Sequence, residues 1–188
     1  VPAGQGRRGG DPRRPRFWGR LGFRPNGADE WGEPLMLLPP EEDIPLTAER
    51  LTEPDGQLFR LENSFRQSVG EEPLTEAEKE RLADAVRAGR IVFFAARRGV
   101  RAVGLCSVSA GFSTFACGEV GSFEDFYLEP CFRGKGAARL LANAARDWCR
   151  EEGIASLTVT CAPCDEGMYR ALGFDTPLGQ TLAHLREG

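Results

Sequence analysis

Histidine and lysine are scarce in this 188-residue chain, and their scarcity narrows the chemistry that it can carry. Histidine occurs once, at His184, and lysine occurs only at positions 79 and 135. Of the six cysteines, only Cys161 and Cys164 have the close spacing of metal ligands, so the four ligands of a zinc ion are hard to assemble. We therefore expect no metal site, and we expect reduced thiols rather than a disulfide framework.

Long apolar runs and excess positive charge are missing as well. No apolar stretch reaches the roughly 18 residues that a membrane span requires, and the first residues lack the apolar core of a signal peptide. The formal net charge is −4, which disfavours non-specific binding to nucleic acid. These absences predict a cytoplasmic protein that binds neither a membrane nor nucleic acid.

The pattern that is present predicts one α/β or α+β domain with a single central sheet. Residues 1–16 are rich in Gly, Pro and Arg and cannot build a core. From about residue 43 the predicted order is strand, two helices, three strands, helix, strand, helix and strand. The main predicted segments are a strand at 44–51, helices at 58–69, 74–89, 136–153 and 165–172, a hairpin loop at 111–121, a strand at 155–161 and a last strand at 180–187.

The stretch CFRGKGAARLL (131–141) places small residues directly before a predicted helix. Backbone N–H groups and the helix dipole at such a turn suit a phosphate or pyrophosphate, and small side chains let the anion approach. The alternative is a tight strand-to-helix turn that holds no ligand. A P-loop is excluded because Gly136, rather than Ser or Thr, follows Lys135, and the spacing also fits a dinucleotide fingerprint poorly.

Two motifs in this region resemble those of the GNAT acetyltransferase family. Arg133-x-x-Gly136-x-Ala138 resembles the family's pyrophosphate loop, [QR]-x-x-G-x-[GA], and MYRALGF (168–174) is similar to its second signature, Y-x-x-L-G-F. The order of elements over residues 43–187 matches as well. The resemblance implies a mixed, mostly antiparallel sheet flanked by helices and the use of acetyl-CoA.

The same resemblance implies which residues bind the coenzyme. The backbone of the strand SFEDFYLEP would pair with the pantetheine arm, and the loop after it would hold the pyrophosphate. The implied coenzyme-binding residues are Phe126, Tyr127, Leu128, Arg133, Gly134, Lys135, Gly136, Ala137 and Ala138.

Two catalytic residues are implied in the same way. Tyr169 matches the tyrosine that protonates the departing thiolate, with an ordinary half-buried helix tyrosine as the alternative. EDFYL resembles a stretch of polyamine-type acetyltransferases in which the glutamate deprotonates the amine, so Glu124 is the expected base. Adjacent strand residues point to opposite faces, so we expect only one of Glu124 and Asp125 to face the cleft. An edge carboxylate in a salt bridge is the alternative for Glu124.

The chain departs from the family pattern before the tyrosine. The family often has Asn seven residues earlier, where this chain has Ala162, so one pantetheine contact is in doubt. Cys161 and Cys164 flank that position as a C-x-x-C pair at a strand-to-helix junction. A redox role, sensitivity to oxidation and mere tolerance of cysteine remain open.

The N-terminal stretch 17–37 repeats part of the second signature, because F-W-x-x-L-G-F aligns with M-Y-R-A-L-G-F. A strand, a Gly/Asn turn and a second strand are predicted after it. Residues 1–40 therefore resemble the tail of another GNAT domain, beside a complete domain at 43–187. The segment belongs to a tandem protein, packs as extra strands on the complete domain, or is an unrelated arm.

The function expected from these residues is transfer of an acetyl group to a primary amine of a small cationic molecule. Acidic residues at positions 62, 119, 124 and 125 are expected near the acceptor and suit a positive charge. Acetylation of a protein or peptide and a non-catalytic acyl-CoA-binding module are the alternatives. The sequence leaves the oligomeric state open, with a homodimer as one alternative.

Overall fold

The computed structural model describes residues 23–28, 34–37, 44–179, 181 and 183. The chain divides into two units. One contains the described residues up to Leu46 with the turn Arg98–Arg101, and the other contains Thr47–Arg97 and the described residues from Ala102 on.

The first unit contains an antiparallel pair of strands, β1 (Arg24–Ala28) and β2 (Pro34–Leu37). The two strands predicted in this segment are confirmed, but the predicted Gly/Asn turn is wrong. Asn26 and Gly27 lie inside β1, where the register shifts between Pro25 and Ala28. Residues 17–22 and the connection at 29–33 lie outside the described residues.

A five-stranded, mostly antiparallel sheet forms the centre of the fold, in the order β3-β4-β5-β6-β7. Helices flank this sheet, which confirms the predicted fold class. The predicted last strand at 180–187 lies outside the described residues, apart from positions 181 and 183. The elements after β2 are β3 (Leu46–Leu51), α1 (Gly56–Ser68), α2 (Glu76–Arg87), β4 (Ile91–Arg98), β5 (Arg101–Ser113), β6 (Gly118–Leu128), a 3-10 turn (Pro130–Phe132), α3 (Ala137–Glu151), β7 (Leu157–Val159) and α4 (Glu166–Ala171).

The hairpin between β5 and β6 is longer than predicted. Residues 111–121 were expected to form a loop, yet β5 runs to Ser113, β6 begins at Gly118, and Gly111 pairs with Val120. Each strand satisfies the backbone groups of the other, so the ladder continues where the side chains are exposed.

Local signals fix the beginnings of both helices on one face of the sheet. Asp55 accepts hydrogen bonds from the N–H groups of Gln57 and Leu58 at 2.9 and 2.8 Å. Thr75 and Glu78 form the capping box predicted for α2. Each bond satisfies an N–H group that has no partner within its helix.

Helix α1 is also tied to the start of β5. The Ala102 N–H donates to Gln57 Oε1, and Arg60 Nη2 donates to the Ala102 carbonyl, both at 2.6 Å. These two hydrogen bonds fix the position of α1 relative to the start of β5.

The core lies on both faces of the sheet because consecutive residues of β4 point to opposite sides. Phe93 and Ala95 pack with α1 and α2, whereas Phe94 contacts Trp148 of α3 with ring centroids 6.1 Å apart. The buried apolar cluster on the α1 and α2 face contains Leu51, Leu58, Leu61, Val86, Phe93, Ala95, Ala102 and Leu105.

Candidate active site

Strand β6 extends beyond the end of its neighbour β7. Their parallel pairing covers Gly121–Phe123 against the whole of β7, Leu157–Val159, while β6 continues for five more residues to Leu128. On its other edge, β6 remains paired with β5 through Tyr127 and Leu128. On the side of β7, the backbone of Phe126–Leu128 therefore has no strand partner among the described residues, and this is where the sequence predicted a pantetheine arm.

A β-bulge interrupts β6 just after its pairing with β7 ends. Leu105 pairs with Tyr127 and Ser107 pairs with Glu124, so β6 has one residue more than β5 over this interval. Asp125 adopts a left-handed φ of 47°, which Asp tolerates better than most residues. A bulge redirects side chains and leaves the extra residue unpaired.

The bulge places Glu124 and Asp125 on the same face of the sheet. Ser109 Oγ donates to Glu124 Oε1 at 2.9 Å, and Ser107 Oγ donates to Asp125 Oδ2 at 3.0 Å. Ser107 and Ser109 are two residues apart on β5 and therefore share a face. The expectation that the two carboxylates point to opposite faces is wrong, because it assumed a regular strand.

Tyr169 of α4 belongs to an aromatic cluster that includes Phe123 and Phe126 of β6. Its ring centroid lies 6.4 Å from Phe123, 6.1 Å from Phe126 and 6.0 Å from Phe174. Burial, and then the Cys161, Asp165 and Cys106 groups, raise the pKa of Tyr169 to about 12. The phenol therefore stays protonated through the neutral range and serves as a hydrogen-bond donor.

The residues after Tyr169 explain why the signature reads L-G-F. Leu172 is buried, Gly173 has a φ of 98°, and Phe174 packs on Phe123 with centroids 5.3 Å apart. Arg146 of α3 donates from Nη1 to the Leu172 carbonyl at 2.5 Å and so ties the end of α4 to α3. These contacts hold Tyr169 in place.

The glycine run forms the turn that the sequence predicted before α3. Gly134 and Gly136 have φ values of 73° and 89°, and a Cβ atom added at either position would meet open space. Gly136 is the N-cap of α3, and no side chain caps this helix. The positive φ values alone require glycine, while the exposed, uncapped helix end also suits an anion.

The two basic residues of this turn lie at its surface. Arg133 Nε donates to the Leu128 carbonyl at 3.2 Å, which links the loop to the end of β6. Lys135 Nζ lies 5.7 Å from the centroid of the Phe132 ring. Both side chains are exposed beside the uncapped helix end.

Glu62 of α1 is a further acidic group near the bulge. From the sequence it was expected near the acceptor but was given no role in catalysis. It is 7% exposed, and burial followed by the Asp125 charge raises its pKa to about 7, against the opposing effect of Arg66. The pKa of Asp125 is also raised, mainly by burial. The burial of Glu62 could have been predicted from the sequence. Glu62 stands at a position of the helical spacing that the apolar residues Leu58, Leu61 and Phe65 follow.

Glu119 lies away from Glu62 and Asp125. It is exposed near the start of β6 and precedes Glu124 by five residues, which is about 16 Å along an extended strand. The acidic residues whose charges act on one another are therefore Glu62, Asp125 and Glu124, whereas Glu119 lies apart from them and its place near the acceptor stays a prediction.

The six cysteines are unpaired in the structure. Cys161 and Cys164 are exposed, and the Cys161 thiol is close enough to Tyr169 to act on the pKa of the phenol. Within the described ranges, no three His, Cys, Asp or Glu side chains are grouped as they would be around a metal ion. None of the described helices is long and apolar enough to span a membrane.

Comparison with known proteins connects this geometry to one family. The sequence model of the Acetyltransferase (GNAT) family matches residues 57–174. A search of curated proteins gave no match.

Solved structures that resemble the fold are acetyltransferases. An aminoglycoside acetyltransferase from an uncultured soil metagenomic sample, in complex with sisomicin, is 18% identical over 76% of this chain and 95% of its own, with a TM-score of 0.61. Glucosamine-6-phosphate N-acetyltransferase from Arabidopsis thaliana is 17% identical over 74% and 99%, with a TM-score of 0.63. A Clostridium acetobutylicum structure described as an acetyltransferase with acetyl-CoA is 18% identical over 73% and 96%, with a TM-score of 0.57.

Proposed function

The chain belongs to the acetyltransferase (GNAT) family, and we propose that it transfers an acetyl group from acetyl-CoA to a primary amine of a small, cationic molecule. The observation that carries the proposal is the stretch of β6 beyond Phe123, where β6 continues after β7 has ended. The glycine turn lies beyond the far end of this stretch, and Tyr169 packs against Phe123 and Phe126. A thioester, its phosphates and a proton donor can be brought together at such a place.

The described residues fit acetyl-CoA. Open space at Gly134 and Gly136 and the uncapped end of α3 suit the pyrophosphate, and the free side of β6 suits the amide-bearing pantetheine arm. Acetyl-CoA supplies the acetyl group as a thioester whose sulfur is the leaving group. We assign the pyrophosphate to Arg133, Gly134, Lys135, Gly136, Ala137 and Ala138, and the pantetheine arm to the backbone of Phe126, Tyr127 and Leu128.

Tyr169 is the group that we assign to the leaving sulfur. Its pKa of about 12 lies above the pKa of a thiol, about 8.5, so the hydroxyl first stabilises the developing thiolate as a hydrogen-bond donor. Because this phenol is a weaker acid than a thiol, complete proton transfer from it to the thiolate stays uphill even after the carbon–sulfur bond breaks, and the hydroxyl acts by donating a hydrogen bond. The backbone amides of Phe126–Leu128 are the donors that we assign to the carbonyl oxygen.

Glu124 is the base that we assign to the attacking amine. It is exposed at the bulge and held by the Ser109 hydroxyl, so it can take the proton directly or through one water molecule. The nitrogen then forms a bond to the carbonyl carbon while the carbon–sulfur bond breaks. Of the two protons that the ammonium loses, one leaves through Glu124 and the other neutralises the sulfur.

The acidic cluster supports a cationic acceptor. Glu62, Glu124 and Asp125 lie on the face of the sheet covered by α1, whereas the Tyr169 cluster lies on the other face. The names of two structural neighbours specify aminoglycoside and glucosamine-6-phosphate acetylation, and both acceptors are small molecules with amino groups. A small amine is therefore the acceptor that we propose.

Calorimetry of acetyl-CoA binding tests the first half of the proposal. Gly136→Asp should abolish micromolar binding by placing a negative charge at the phosphate turn. Since any side chain at this positive φ strains the backbone, a neutral variant is needed to isolate the effect of the charge. Gly136→Ala is the matched control: it carries the same backbone strain without the charge and should keep affinity within a few-fold.

Thiol release with cationic amines tests the second half. Folded wild-type protein that does not bind acetyl-CoA would contradict the proposal. Acetyl-CoA binding without turnover of any amine would instead identify a non-catalytic acyl-CoA-binding module.

A further inference from the structure

Glu62 occupies a position where its helix otherwise buries apolar side chains. It lies between α1 and the sheet beside Leu61, and it is 7% exposed. Its Oε2 atom has no hydrogen-bond partner among the described residues. Burying an unpaired carboxylate is costly, so a sequence retains one at such a position at the expense of stability.

Arg66, one turn along α1, does not neutralise Glu62 by an ion pair. Its Nε donates to the Glu72 carbonyl at 2.6 Å, and its Nη2 lies 3.9 Å from Glu71 Oε2. Its charge acts on Glu62 only from a distance and lowers the pKa less than burial raises it.

The group on the sheet whose charge acts on Glu62 is a second acid, Asp125. Ser107 donates one hydrogen bond to Asp125, and Glu124 on the same strand adds negative charge. Cys106 on β5 is a buried thiol whose own pKa is raised, so it stays uncharged at neutral pH. The surroundings of the Glu62–Asp125 pair therefore leave it short of positive charge, and near neutral pH the pair retains a proton.

Resting on the proposed function, we infer that Glu62 and Asp125 form a buried anchoring site for a second cationic nitrogen of the acceptor, distinct from the amine that is acetylated. The ligand nitrogen replaces the proton that the pair holds in the free protein. Asp125 is only half-buried and adjoins the exposed Glu124, so the route to Glu62 runs past the bulge.

The electrostatics of the pair explain why the anchored nitrogen is not the nucleophile. Two carboxylates in a buried setting favour the charged form of an amine, and an ammonium ion has no lone pair with which to attack. The attacking nitrogen must lose its proton, and the exposed Glu124 suits that step. The acceptor therefore carries at least two basic nitrogens.

The two serines that hold the carboxylates give the scale of the distance between these nitrogens. Ser107 holds Asp125 and Ser109 holds Glu124, and residues two apart on a strand are about 7 Å apart. A short diamine such as putrescine, or a molecule with several amino groups such as sisomicin, can span this distance. Its chain must pass the bulge between the two carboxylates.

The binding arm of the test is calorimetry without acetyl-CoA. Putrescine and sisomicin are titrated into the full chain at about pH 6, in buffers of different ionisation enthalpy. Wild type should release close to one proton per bound ligand, because the cation displaces the proton of the pair. Glu62→Gln should lose most of the proton release and weaken affinity about 10- to 100-fold, as expected for a charged hydrogen bond.

Two further variants complete the binding experiment: one is a control, and the other tests the pair a second time. Glu80→Gln removes an exposed carboxylate of α2 and should behave as wild type. Asp125→Asn retains an oxygen for Ser107 and a residue type that accepts a positive φ, so it tests the pair if Glu62→Gln folds poorly. Ligand binding with no proton release in wild type, or no Glu62-dependent binding of either probe, would overturn the inference.

The turnover arm separates anchoring from proton abstraction. With putrescine, Glu62→Gln should raise KM about 10-fold or more and leave kcat nearly unchanged. With butylamine, which has the same carbon chain and one nitrogen, the variant should have little effect on acetylation. A fall of about 100-fold in kcat with both amines would overturn the inference and identify Glu62 as the base. Failure of wild type to bind acetyl-CoA would count against the proposed function alone.

Discussion

Replacement of Glu62 by glutamine should stabilise the protein, and the gain should grow with pH. The pKa of Glu62 is about 7 in the folded protein, above its usual value of 4.5, chiefly because the group is buried. Between these two values the folded state holds a proton that the unfolded chain has released. The free energy of unfolding of wild type therefore falls as pH rises from 4.5 to about 7, and it stays at the lower level above that.

Glutamine cannot ionise and avoids this cost. A pKa raised from 4.5 to about 7 corresponds to about 3 kcal/mol at full ionisation. The difference in unfolding free energy between variant and wild type should therefore rise from about 1 kcal/mol at pH 5 to about 3 kcal/mol at pH 8. For a chain of this size, the larger difference is a shift in Tm of roughly 6 to 12 °C.

Urea denaturation followed by circular dichroism at several pH values measures this difference. Glu80→Gln, at an exposed position of α2, should show a difference that stays near zero at every pH. A gain that is constant with pH would mean that the glutamine side chain only packs better than the glutamate. A loss of stability that deepens with pH would refute the reasoning, because it would show that Glu62 is stabilised as an anion.

Other substitutions test separate parts of the structure. Tyr169→Phe should lower kcat for amine acetylation by about 10²–10⁴ with little change in acetyl-CoA affinity, because the variant loses the hydroxyl that hydrogen-bonds the leaving sulfur and keeps the ring packing. An unchanged kcat would remove Tyr169 from the mechanism. Gly104→Ala should cost about 1–3 kcal/mol in chemical denaturation, since a Cβ atom there would meet the Leu128 side chain and lie 2.8 Å from the Tyr127 carbonyl oxygen. Gly111→Ala on the same strand adds its Cβ to open space, and equal losses at both positions would contradict this account.

Helix boundaries and the fold class followed from local patterns. The capping box at Thr75 and Glu78 and the apolar stripes of α1 and α3 depend on residues three to seven positions apart, so one sequence shows them directly. The glycine turn before α3 could be predicted for the same reason. The L-G-F signature also proved local, because Gly173 and Phe174 act within one turn of Tyr169.

The hairpin and the bulge could not be read in the same way. Whether residues 111–121 form a loop or a ladder depends on pairing across the hairpin, and the extra residue in β6 exists only relative to β5. The alternation rule that placed Glu124 and Asp125 on opposite faces holds within a regular strand. It fails at a bulge, because one residue there is unpaired and the alternation shifts.

The sequence by itself determined the family, the order of the elements described, the glycine turn and the position of Tyr169, because each rests on neighbouring residues. Only the tertiary structure decided that the pairing of β6 with β7 ends at Phe123 and that both bulge carboxylates share a face. It also brought Glu62 near enough to Asp125, 63 positions further along the chain, for the Asp125 charge to raise the pKa of Glu62. The charge of a carboxyl group depends on its solvent and on the charges packed around it, and packing is a property of the folded chain.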